Sequence, residues 1–246
     1  MHAHPSGVDA AIAAELVLLS ALAGTLGVWV VLRRLAFFAH AVGTAAFPGI
    51  VIAGSLGGLG SALLAGAGVR GLRGAPRLGA DAATGLVLAV ALAVGAIAAA
   101  DSGEHPEEIL FGSLRSAGWG EVAWTAGALA LMAVAEALRG RRWLADGLDG
   151  RAPDLLLLGC IALAAVAAVD AVGALLVAAI LVIPAATARL LTDDLVTLRV
   201  LAAAIALGEG AAALVVGQLL DADTGGVMAV LGGLGFAAAQ LVRRPA

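Results

Sequence analysis

Apolar residues in this chain come in long, nearly uninterrupted runs. Uncharged stretches cover residues 16–32, 35–69, 82–100, 122–135, 155–169 and 171–188. Two more follow at 200–220, broken only by Glu209, and at 224–242. A helix needs about 20 apolar residues to cross a bilayer, with a range of about 17–25. The pattern therefore predicts an all-α polytopic transmembrane helical bundle of about eight or nine spans. They fall roughly at 12–32, 36–55, 57–72, 82–100, 119–138, 154–169, 171–189, 200–220 and 224–242. The second run is 35 residues long and must hold two crossings. It divides near Ser55-Leu56-Gly57-Gly58, where glycine weakens a helix. The runs at 122–135 and 155–169 reach crossing length only by recruiting flanking residues. No repeat of fixed period and no large soluble domain interrupts the series, so residues 1–246 read as a single transmembrane domain. The longest polar loops are 101–120 and 139–154.

Composition sharpens this reading. Of 246 residues, 62% are hydrophobic and 13% charged, and the mean hydropathy is +1.05. Soluble domains carry about 25% charged residues. Too few charges remain here to coat a soluble surface, which excludes an ordinary cytosolic enzyme, a disordered tail and a nucleic-acid binder. All 14 basic residues are Arg. With the N-terminus outside and nine alternating spans, Arg33, Arg34, Arg70, Arg73, Arg77, Arg139, Arg141, Arg142, Arg151, Arg189, Arg199, Arg243 and Arg244 all fall inside. Only Arg115 falls outside, as the positive-inside rule asks. The acids Asp101, Glu104, Glu107, Glu108, Asp221 and Asp223 fall outside. The expected location is the plasma membrane, multi-pass, with a cytoplasmic C-terminus. The first run has no basic segment before it and reads as a retained helix, not a cleaved signal. The lone Cys160 reads as a small buried filler.

Ionisable groups inside spans are costly and mark functional candidates. Glu209 lies midway along its run, and His40 and Asp170 lie near the ends of theirs. Glu15 and Glu136 stand within a turn or two of an end, where reaching out to the interface is the expected fate. His40 and Thr44, four apart, share a helix face. Pro48-Gly49 follows, and proline frees a backbone carbonyl, so a histidine, a hydroxyl and a broken helix together suit a cation path. Asp101, Glu104, His105, Glu107 and Glu108 could attract cations electrostatically, while Pro106 with Glu107 and Glu108 equally reads as a helix start. His2 and His4 read as a frayed terminus. No nucleophile elbow, zinc-protease motif or phosphate loop is present, so no enzyme activity is expected of the chain itself.

Three segments resemble one family, the permease subunits of zinc/manganese/iron ABC importers (ABC-3). They are LGVWVVLRRLAFFAHAVGTAAFPG at 26–49, Ile-Leu-Phe-Gly at 109–112, and VGALLVAAILVIPAATAR at 172–189. The last is the most specific, close to the family's VGxLLxxALLxxPAATA. The resemblance implies the membrane permease of a metal-ion importer, providing the translocation path for a zinc, manganese or iron ion. No permanently bound cofactor is implied. The implied partners are a cytoplasmic ABC ATPase subunit that hydrolyses ATP, an extracytoplasmic metal-binding protein, the lipid bilayer and a second copy in a homodimer; nucleic acid is not among them. The family's second span carries Asp and, four residues on, His on the metal path; the matching positions here are His40 and Thr44. The expected metal-path residues are thus His40, Thr44, Asp170 and Glu209, the last two as replacement charges. The family's ATPase-docking loop is longer than 139–154, where residues 143–150 allow about two helical turns. An uncoupled channel or secondary carrier on the same fold is the alternative.

Overall fold

A computed structural model describes residues 5–72, 79–102, 106–112 and 114–242. Among them every regular element is helical. Helix α1 (Pro5–Leu22) passes through a π turn at Ala23–Gly27 into α2 (Val28–Leu32), so that Ala10–Leu32 forms one element of crossing length. Most of it, 67%, is buried within the bundle, against 11–28% of the other crossing-length helices. The first helix is therefore the centre around which the rest is arranged. Its large residues Leu19, Leu22, Leu26 and Trp29 are fully enclosed. The π turn falls where two neighbours approach closest. A Cβ on Gly24 would lie 2.6 Å from the Arg199 carbonyl oxygen, and one on Gly27 would overlap that of Leu181.

Helix α3 (Ala36–Leu72) is a hairpin of two arms. Ala53 and Gly54 leave helical geometry, with Gly54 at φ 62°. In a straight helix Gly49 and Gly57 would stand about 12 Å apart, at 1.5 Å per residue. Instead a Cβ on Gly49 would collide with the Gly57 carbonyl, and the Ser61 hydroxyl donates to the Ala46 carbonyl at 3.4 Å. The chain thus reverses two residues before the expected break at 55–58. Pro48, expected to break the helix, lies inside a regular stretch.

Helix α4 (Ala80–Ser102) packs on α3, and the short α5 (Pro106–Phe111) leads through a 3-10 turn (Leu114–Ser116) to α6 (Trp119–Leu148). Helices α7 (Leu155–Val172), α8 (Val177–Leu191), α9 (Leu195–Leu220) and α10 (Thr224–Val242) complete the bundle. Cys160 is buried and free, as expected.

Six described helices are long and apolar enough to cross a membrane, and residues 155–169 and 177–191 form two shorter apolar helices. This makes six to eight crossing elements, not the eight or nine expected. The two arms of α3 are counted there as one element, and α8, at 15 residues, is short for a full crossing. The expected loop at 139–154 is also corrected. Helix α6 continues through Arg139 to Leu148, its end tied down because Arg33 donates to the carbonyls of Trp143 (2.6 Å) and Arg151 (2.7 Å).

Asp194 caps α9, accepting from the Thr197 amide (2.8 Å) and hydroxyl (2.7 Å). These donors hold its carboxyl below the usual range. The contribution of a carboxylate with a depressed pKa is present above the free value of about 3.9 and lost as pH falls through the lower folded value. Acidification should therefore increase deuterium uptake in the first turn of α9 in the wild type, and leave Asp194→Ala without that pH step.

Gly27→Ala should destabilise the bundle by about 1–3 kcal/mol through overpacking. Gly127→Ala, on α6 with open space at its Cβ, should stabilise it by about 0.5–1 kcal/mol. Unfolding midpoints in detergent, moving in opposite directions, check the pair.

Candidate functional site

A second break in the helical backbone lies between α7 and α8. Helix α7 ends at Val172, and Gly173 turns the chain with φ 84° and ψ 147°. Two backbone amides freed by this turn find carbonyls on α5: Ala174 donates to Ile109 (2.9 Å) and Leu175 to Leu110 (3.2 Å). The Ala174 carbonyl accepts the buried Thr44 hydroxyl at 3.4 Å. A Cβ on Gly112 would overlap the Gly173 amide, and one on Gly225 would lie 2.5 Å from the Val172 carbonyl oxygen. A side chain at any of these three glycines would force the assembly apart. Helix α7 has 18 residues and α8 has 15, spanning about 27 and 22 Å, short of the roughly 30 Å hydrocarbon layer. Irregular backbone is tolerated at such depth only where protein or a water-filled cavity surrounds it, and here α3, α5 and α10 do so.

The three segments singled out by sequence therefore meet in space. Residues 26–49 reach 172–189 through Thr44 and through Gly43, whose Cβ would lie 3.1 Å from Val177. Residues 109–112 reach it through the backbone bonds to 174 and 175.

The individual site residues are placed unevenly. Thr44 is buried at the break, with its hydroxyl committed to a carbonyl. His40 is half-buried one turn earlier on α3. Asp170 sits in the last turn of α7, three residues before Gly173; its side chain lies outside what is described. Glu209 is elsewhere. It faces the glycines of α10, one oxygen lying 3.0 Å from where a Gly232 Cβ would stand, and Ile183 of α8 borders the same position. Its other oxygen is buried without a hydrogen-bond partner among the described residues. Among the described residues no group of three or more His, Cys, Asp or Glu side chains could hold a metal ion. His2, His4, Glu104 and His105 lie outside the described residues, as do Arg73, Arg77, Arg243 and Arg244.

Two carboxylates expected to reach the interface are instead held between helices. Glu15 is fully buried and accepts the Thr125 hydroxyl at 2.6 Å, tying α1 to α6. Glu136 accepts the Trp29 indole N–H at 2.8 Å and pairs with Arg199, joining α2, α6 and α9. The Arg199 guanidinium stands 5.9 Å from the Trp29 ring centroid, and Trp29 meets Trp143 edge-on at 5.4 Å. Helical periodicity carries the missed signal. Ala11, Glu15, Leu19 and Leu22 form one stripe, as do Met132, Ala135 and Glu136, and the apolar members of both stripes are buried.

Comparison with known proteins adds to this geometry. The model of the ABC 3 transport family matches residues 7–243. The manganese transport system membrane protein MntD of Bacillus subtilis is 30% identical, over 95% of this chain and 91% of that protein. The solved structure of PsaBC from Streptococcus pneumoniae in complex with Fab has the same fold, with a TM-score of 0.83 at 22% identity, covering 94% of this chain and 90% of that one.

Thr125→Val, nearly isosteric, removes the donor to the buried Glu15 carboxyl group and should cost about 1.5–3 kcal/mol, read as a lower unfolding midpoint in detergent. Thr125→Ser should restore it.

Proposed function

The chain belongs to the ABC 3 transport family and is a membrane permease of an ABC importer; from that premise we propose that its cargo is a divalent first-row metal ion, zinc, manganese or iron. The observation that carries this reading is the junction of α3 with the α7–α8 break, where a turn enclosed by the bundle is reached by Thr44, with His40 one turn earlier on the same helix. Broken helices at membrane depth are where transporters gather ligands for ions. His40 supplies a neutral imidazole, which suits zinc and iron better than a manganese site built from carboxylates. Asp170, in the last turn of α7 beside the break, supplies the negative charge that the pair His40 and Thr44 lacks, while Glu209, facing α10, is a separate charge further along the path.

The arginines support an orientation. Arg33, Arg139, Arg151 and Arg199 are linked at one end of the bundle through the Trp29, Trp143 and Asp154 contacts, and Arg70 borders the same end. Arg115 lies beside Gly217, near the far end of α9. The arginine-rich end faces the cytoplasm, with the N-terminus outside and the C-terminus inside. A cytoplasmic ATPase docks there, on the exposed turns of α6 around Arg141, Arg142 and Leu148, while an extracytoplasmic metal-binding protein delivers the ion to the opposite end. The chain works as a single permease domain paired with a second copy. An uncoupled channel or carrier would follow from a chain with no docking element, and the helical continuation of α6 supplies one.

Metal accumulation in cells with and without this chain, measured for zinc, manganese and iron, tests the proposal. His40→Ala should lower accumulation of the transported metal by about tenfold at unchanged protein level. Accumulation unchanged by both His40→Ala and deletion of the chain overturns the metal assignment. Co-purification of an ATPase whose turnover rises with that metal separates the importer from the uncoupled alternative.

A further inference from the structure

Away from the α7–α8 break, a cavity opens between the second arm of α3 and α7. It has a volume of about 420 Å³ and is lined by Phe38, Ala62, Gly66, Leu158 and Gly159. Its walls are apolar, and it is open because Gly159 has nothing within 4 Å of its Cβ position and Gly66 meets only Phe38 and Val42. Leu63 and Leu155 at its edges are exposed, so the groove faces outward, toward the lipid. At one end it runs into a polar mouth, with Arg70 and Leu155 bordering both spaces and Arg139, Pro153 and Asp154 lining the mouth. Arg70 is exposed and has no ion-pair partner among the described residues. Arg139 pairs with Asp154 at 3.5 Å, yet 44% of its side chain stays accessible. The N-terminus of α7 opens onto the same mouth, with Asp154 capping the Leu157 amide at 2.9 Å. Two guanidinium groups and one carboxylate leave the mouth one positive charge in excess. The positive end of a helix dipole adds to that field.

We propose that this groove binds one anionic phospholipid, an acyl chain lying along Gly66 and Gly159 and the headgroup phosphate held by Arg70 and Arg139. Charge complementarity selects the occupant. A purely apolar partner leaves Arg70 unused, whereas a chain with a phosphate at one end matches both halves of the cavity. Basic pockets between helices on the cytoplasmic side are suited to anionic headgroups, and this mouth lies at the arginine-rich end. The inference rests on the bilayer-embedded reading and not on the cargo: metal uptake can fail its test while the lipid preference holds.

The test is native mass spectrometry of the delipidated full chain, titrated with phosphatidylglycerol or phosphatidylcholine of identical acyl chains. Phosphatidylglycerol should bind more tightly. Arg70→Gln should weaken it by about fivefold, matching about 1 kcal/mol per basic residue near an anionic surface, and leave phosphatidylcholine unchanged. Gly159→Leu fills the groove and should abolish retention of both lipids, with circular dichroism and elution volume confirming an intact fold. Equal affinity for the two lipids overturns the proposal, as does a Gly159→Leu chain that retains phosphatidylglycerol. Glycerol 3-phosphate binding as tightly as the lipid would confine recognition to the mouth and overturn the role of the groove. A dimer turned monomer by Gly159→Leu would assign the groove to a second copy instead.

Discussion

The whole assembly depends on backbones that touch where a Cβ would stand. Lipid is as apolar as leucine, so helices in a bilayer gain little from the hydrophobic effect by meeting each other, and close van der Waals approach has to hold them. The 34 glycines of this chain are used selectively for that purpose. Gly24 and Gly27 let α8 and α9 close on the central helix, Gly49 and Gly57 let the two arms of α3 touch, and Gly112, Gly173 and Gly225 join three elements at the α7–α8 turn. Many other glycines face open space, so abundance alone does not mark the important ones.

Polar contacts supply what shape alone lacks, which is register. Small residues permit sliding, whereas a hydroxyl meeting a carboxylate does not. The Glu15–Thr125 bond sets α1 against α6, and Glu136 sets α6 against α2 and α9 at the other end. Thr125 also reaches the Ala167 carbonyl of α7 at 3.4 Å, so the helix that ends in the break is held in the same frame. Arg33, spanning from the end of α2 to the last turns of α6, locks the same frame at the arginine-rich end.

The class of fold was legible from the apolar runs because bilayer thickness imposes a length that composition reveals. The long runs at 82–100 and 224–242 became α4 and α10 with little change. Hairpins and re-entrant turns were less legible. The reversal at Ala53–Gly54 and the break at Gly173 both depend on where a neighbour comes close, and no local feature separates those glycines from Gly127 or Gly159. Pro48 shows the converse, a strong local breaker overruled by its surroundings. Charge misled in one direction: Glu15 and Glu136 were assigned to the interface by distance from a run's end, although helical phase placed them on buried stripes. For the site, motif spacing picks segments that do converge, and Glu209, a candidate by its depth, faces the glycines of α10.

The burial of the first helix has a consequence for biogenesis. This segment leaves the ribosome before the other described helices, yet it ends at their centre, and Glu15 meets Thr125 only after 110 further residues have been made. Trp29 waits 107 residues for Glu136. Until α6 arrives, the bond between the Glu15 carboxyl group and Thr125 cannot form. The central helix is therefore made before the helices that enclose it, and the nascent bundle passes through a stage in which its future core is its outer surface.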